Sequence, residues 1–130
     1  MDFKYEVEVK KSFDEAVESL KISLSENKFG VLWELNFKDK LKEKNLEFES
    51  NFKVLEVCNP VQAKEVLSKD IEAGYFLPCK LVVYEKNSSV FIGMMKPTEL
   101  IQMLGKKELM AVAKDVENTL KKAIDNTVLN

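Results

Sequence analysis

The sequence predicts an α+β fold: a two-layer sandwich of the β-α-β(4)-α type with extra short helices and a mostly antiparallel sheet. Three observations carry that expectation. Several short stretches alternate apolar with charged residues, the period of a half-buried strand. Two longer stretches, one near each end, repeat apolar residues at helical spacing. Helices fall irregularly among hairpin-like strands, whereas a doubly wound parallel sheet needs strict alternation. At 130 residues with 45% hydrophobic side chains, residues 1–130 suffice for one domain hiding about two-thirds of its unfolded surface without metal or disulfide staples. Two domains would each be too small for an adequate core.

The elements follow in order. Phe3, Tyr5, Val7 and Val9 alternate with Lys4, Glu6, Glu8 and Lys10, a strand with one wet face. Ser12-Phe13-Asp14-Glu15 reads as a capping box opening a helix to about Glu26, whose Phe13, Ala16, Val17, Leu20 and Leu24 form one apolar face. Asn27-Lys28-Phe29-Gly30 is the expected stop, with glycine taking positive φ. Val31, Trp33, Leu35 and Phe37 resume strand alternation, and Lys38 to Lys44 is expected as a short surface helix. Phe52 to Val57 alternates imperfectly, as a strand buried on both faces would. Asn59-Pro60 is a helix start, asparagine as N-cap and proline at the first position, for a short helix from Val61 to about Ser68. Asp70 to Gly74 breaks the pattern. Lys80 to Lys86 and Ser89 to Met95 form a hairpin across Asn87-Ser88. Pro97-Thr98-Glu99 opens a helical turn that Gly105 interrupts, and Leu109, Val112, Ala113, Val116, Leu120, Ala123 and Ile124 stripe a long terminal helix.

Composition limits the chemistry. All 20 cationic residues are lysines, and neither histidine nor arginine occurs, so imidazole acid-base catalysis and guanidinium clamps are excluded within one chain. With 22 acidic side chains against 20 basic ones and a net charge of -2, the chain lacks the basic footprint of a nucleic-acid binder. The start alternates charged and apolar residues instead of offering a continuous hydrophobic stretch, and no apolar run approaches the roughly 20 residues that span a bilayer. No membrane role and a cytoplasmic location, with Cys58 and Cys79 as reduced thiols, are the expectations. The four glycines are isolated, so no glycine-rich phosphate loop is present.

Around Val54-Leu55-Glu56-Val57-Cys58-Asn59-Pro60, with Ala63 beyond it, and at Leu77-Pro78-Cys79 leading into Val82-Val83-Tyr84-Glu85, the sequence resembles the domain-of-unknown-function family 302. The resemblance extends from the Ser12 helix start through Phe29-Gly30-Val31-Leu32 and Met95-Lys96-Pro97 to the terminal helix, nearly the whole chain. It implies a layout like that of the TATA-binding-protein fold and a homodimer, and it implies no reaction. Lys96 departs from the acidic residue expected before the proline.

The candidate site is formed by Cys58, Asn59, Pro60 and Cys79. Each cysteine ends a segment beside a proline-containing turn. The helix after Pro60 can climb about 15 Å, and Asp70 to Leu77 can span up to about 26 Å and return, so the two thiols can meet at one end of the sheet. A helix start beside Cys58 favours its thiolate. One reading is a pocket there for a small apolar or thiol-reactive ligand, or for a protein partner. A second is a thiol-dependent redox enzyme, with Cys58 as nucleophile and Cys79 as resolving thiol. A third is an interaction module without chemistry. The bland alternative makes both cysteines small core hydrophobes. Two thiols 20 residues apart, without histidine, make no zinc signature, so neither metal nor cofactor is expected. Lys80 and Glu56 are further titratable candidates whose simpler role is a solvent-facing strand position. Met94, Met95, Met103 and Met110 suit an apolar groove, core packing or a dimer seam.

Overall fold

A computed structural model describes residues 2–129. Its strands are β1 (Lys4–Val9), β2 (Gly30–Asn36), β3 (Phe52–Cys58), β4 (Cys79–Lys86) and β5 (Ser89–Met95), and its helices are α1 (Phe13–Glu26), α2 (Phe37–Glu43), α3 (Pro60–Lys69), α4 (Pro97–Leu104) and α5 (Met110–Leu129). Two 3-10 turns, Ile71–Phe76 and Lys107–Leu109, precede β4 and α5. The strands make one fully antiparallel sheet in the order β1-β5-β4-β3-β2. The first strand therefore pairs with the last, and β1 and β2 are the edges.

Local chemistry explains most boundaries. The capping box is present: Ser12 Oγ accepts from the Glu15 amide at 3.2 Å, and Glu15 accepts from the Ser12 amide at 3.2 Å. The stop of α1 differs from expectation. Lys28, not Gly30, takes positive φ (67°), while Gly30 opens β2. The Phe29 amide donates to the Leu24 carbonyl at 2.9 Å and the Lys28 amide to Ser25 at 3.1 Å, so a Schellman cap with buried Leu24 and Phe29 in contact range outweighs the left-handed penalty on lysine. Asn87 (φ 53°) and Ser88 (φ 66°) both occupy the left-handed region, the two-residue type I′ turn that matches strand twist. The stretch read as a pattern break after Asp70 is a 3-10 turn running to Phe76, capped by the Asp70 side chain on the Glu72 amide at 3.0 Å.

Helices α1 and α5 cover one face of the sheet. Leu20, Leu24, Leu120 and Ile124 are fully buried against Leu55, Leu81, Val83 and Ile92. Two buried hydroxyls inside this layer are satisfied: Ser23 donates to the Ala123 carbonyl at 2.7 Å and Thr127 to the Ile124 carbonyl at 2.5 Å. The opposite face carries a row of rings. Phe52, Tyr84 and Phe91 occupy successive cross-strand positions and stack at 5.8 and 5.2 Å, with Phe37 edge-on to Phe52 at 5.7 Å. The Tyr84 hydroxyl donates to Glu6 on β1 at 2.6 Å, across the Gly93 position, where a Cβ would come within 3.0 Å of the Tyr5 carbonyl.

Candidate functional site

The excursion between β3 and β4 builds the site. Asn59 Oδ1 accepts from the Val61 and Gln62 amides at 3.0 and 3.2 Å, and Pro60 starts α3 at no hydrogen-bond cost. The chain then folds back through the 3-10 turn, crosses a cis Leu77–Pro78 peptide and enters β4 at Cys79. Because Val57 pairs with Cys79 in the register, Cys58 and Cys79 sit at the same end of adjacent strands. Strand alternation separates them in direction: Cys79 shares the helix-covered face with Val57 and packs on the core, whereas Cys58 belongs to the other face.

Neither thiol is activated. Burial pushes Cys79 up to about 11, with the neighbouring Cys58 adding to the shift, and burial also raises Cys58. The helix start does not reverse this, because Asn59 takes the first free amides of α3 for its own side chain.

Cys79 instead forms part of the wall of an apolar cavity of about 110 Å³. Val66 of α3 and Ala73 and Phe76 of the 3-10 turn close one side, and Leu100 and Ile101 of α4 another. Val112, Ala113 and Val116 of α5 form the base, and Leu77, Pro78 and Met95 complete the sheet end. Cys58, Asn59 and Pro60 do not line it. Of Met94, Met95, Met103 and Met110, only Met95 does; Met94 is core and Met103 is exposed. Lys80 borders the cavity, but alternation sends its side chain to the face of its cross-strand partner Glu56.

Two polar devices hold the cavity walls. Glu117 of α5, only 8% exposed, accepts from the Thr98 amide at 3.0 Å and the Thr98 hydroxyl at 2.7 Å, and pairs with Lys121 at 3.5 Å. Burial alone would raise its pKa, but the Thr98 bonds and Lys121 outweigh burial and hold the carboxyl below its usual value. It thereby caps α4, whose own N-cap, Lys96, makes no side-chain cap. Lys106, before α5, reaches back to Asp70 at 2.6 Å and Glu72 at 3.2 Å, and this clasp ties the 3-10 turn to the α4–α5 connection.

The sequence marked Cys79 but missed the residues around it. Val112, Ala113 and Val116 were legible as part of a stripe to be buried, but nothing in the stripe marks the space beside them, since its other alanine, Ala123, is fully buried in the filled end. Among the described residues no group of three or more histidine, cysteine, aspartate or glutamate side chains is placed to hold a metal, and no helix is long and apolar enough to cross a membrane.

Comparison with known proteins gives one consistent picture. No curated protein matches the chain. The crystal structure of an uncharacterized conserved DUF302 protein from Bacillus stearothermophilus is similar at 44% identity, covering 96% of this chain and 98% of that one, with a TM-score of 0.93. The model of the domain of unknown function DUF302 matches residues 5–127; the chain belongs to the DUF302 family.

Proposed function

We propose that this protein is a small-ligand-binding domain whose site is the apolar cavity walled by Cys79, Phe76, Ile101 and Val116. The observation that carries the reading is an unfilled space of about 110 Å³ in a core otherwise closed by fully buried leucines and valines. Interiors pack densely, and dry apolar voids near 150 Å³ take up benzene or xenon. The raised thiols favour an apolar ligand over a thiol-reactive one and weigh against Cys58 as a redox nucleophile. Two unpaired cysteines suit the cytoplasm, and the near balance of charge gives no reason to propose a nucleic-acid partner.

The same reading makes the protein a homodimer through the uncovered sheet face. Phe52, Tyr84 and Phe91 form its apolar strip, Trp33 stands 50% exposed on the same face opposite Glu56, and Lys4 and Lys80 with Glu8 and Glu56 give the face both signs. A two-fold contact between identical surfaces needs that self-complementarity.

Thermal melting with a panel of small apolar compounds tests the ligand site. The melting temperature should rise with ligand concentration, as linkage requires, and Ala113→Leu, which fills the space, should abolish the rise. A panel that leaves the melting temperature unmoved contradicts the reading. Light scattering at tens of micromolar should return twice the chain mass of 14.9 kDa; a single-chain mass removes the dimer and leaves the ligand site standing.

A further inference from the structure

We infer that the cavity selects uncharged, compact hydrocarbon groups, a single ring or a short branched chain, and rejects the same skeleton carrying a carboxylate; this rests on the ligand-binding reading above. Size comes first. A space of about 110 Å³ is of the order of the roughly 150 Å³ void that takes up benzene and well below the about 300 Å³ at which sites for larger ligands begin. A second ring or a long chain would extend out of the apolar space toward solvent.

Charge comes second. Among the described residues, the only polar side chains bordering the cavity are Cys79 and Lys80. The Cys79 thiol stays protonated at neutral pH and is at most a weak donor. Lys80 stands at the rim beside Met95, on the face of Glu56, and is exposed, so its ammonium stays in water and supplies no buried positive charge. The nearest buried ionised group on the base helix is Glu117, next to the lining residue Val116, and its negative charge opposes an anion. The clasp lysine, Lys106, is already engaged by two carboxylates. An anionic group placed inside the apolar space would therefore lose its hydration with no buried cation to replace it, a cost that exceeds the gain from burying one ring. A neutral ring loses no such hydration.

Benzene and benzoate share a ring and differ by one charge, so they are the probes. Methyl-resolved NMR of the full chain follows Val66, Ala73, Ile101, Ala113 and Val116 during each titration. Benzene should shift these methyls saturably, while benzoate at pH 7 should bind at least about tenfold more weakly, a difference of about 1.4 kcal/mol. Benzoate binding as tightly as benzene at the same methyls would overturn the selectivity while leaving the ligand site intact. No saturable shift of these methyls with either compound would overturn both. No variant is needed, so loss of folding cannot mimic either result.

Discussion

The two ends of the helix layer differ in how completely they are packed. At the α1–α5 end, leucines and isoleucine from both helices are fully buried against the sheet, and the buried Ser23 and Thr127 hydroxyls find backbone carbonyls at 2.7 and 2.5 Å. At the α3–α4 end, α3 buries no residue completely, α4 buries only Ile101, and a void remains beneath them. Polar ties occur at both ends: Ser23 joins α1 to α5 and Lys11 reaches both Ser19 and the Thr127 carbonyl at the packed end, while Glu117 and the Lys106 clasp join the walls at the open one. The filled end stabilises through dense packing, while the other keeps an unfilled space.

The comparison breaks most visibly under truncation. Leu20→Ala at the packed end should cost about 3 kcal/mol, since it removes a fully buried side chain and leaves a new cavity. Ile101→Ala, already facing a void on one side, has fewer contacts to lose and should cost about 1.5 kcal/mol. Urea denaturation of both variants measures the pair, and equal costs would show that the open end is packed as tightly as the other.

A smaller effect sharpens the role of the ionic ties. Glu117→Ala should cost about 2 kcal/mol by stripping α4 of its charged cap, with Glu117→Gln recovering part of it through the remaining carbonyl acceptor. The pH dependence has a fixed sign. The Glu117 pKa is lowered in the folded state, so its contribution is present above the unfolded value of about 4.3 and is lost as pH falls through the folded value. The stability difference between the wild type and Glu117→Gln should therefore be constant from pH 5 to 7 and shrink below about pH 4. A difference that grows on acidification would mean the carboxyl is bound in its protonated form.

Those two regions were not equally legible in the sequence. The packed end follows directly from periodicity: the Leu20–Leu24 face, the Leu120–Ile124 stripe and the Ser12–Glu15 box are local signals, and each matches an observed element. The Asn59-Pro60 start and the Asn87-Ser88 turn are equally local. Long-range partners leave no such trace. Glu117 lies off the apolar stripe of α5, and nothing near it in sequence announces that it accepts from Thr98, 19 residues earlier, and so caps α4. The Schellman stop at Lys28 was missed because the more permissive Gly30 lay two residues on, and tertiary burial of Phe29 decided between them. The cysteines were rightly brought to one sheet end by the length of the excursion, but the direction of each thiol depends on register, which only the paired strands define. The cavity was illegible for a plainer reason: hydrophobic patterning counts the residues that point inward and says nothing about space they fail to occupy.

The proposed apolar site lies at the open end and not at the packed end. Diffraction from crystals pressurised with xenon tests it most directly, because xenon is uncharged, scatters strongly and enters dry apolar voids. A xenon peak bounded by Val66, Phe76, Ile101 and Val116 is expected, with none between α1 and α5. An α3–α4 end without xenon, or one filled by ordered water, would contradict it.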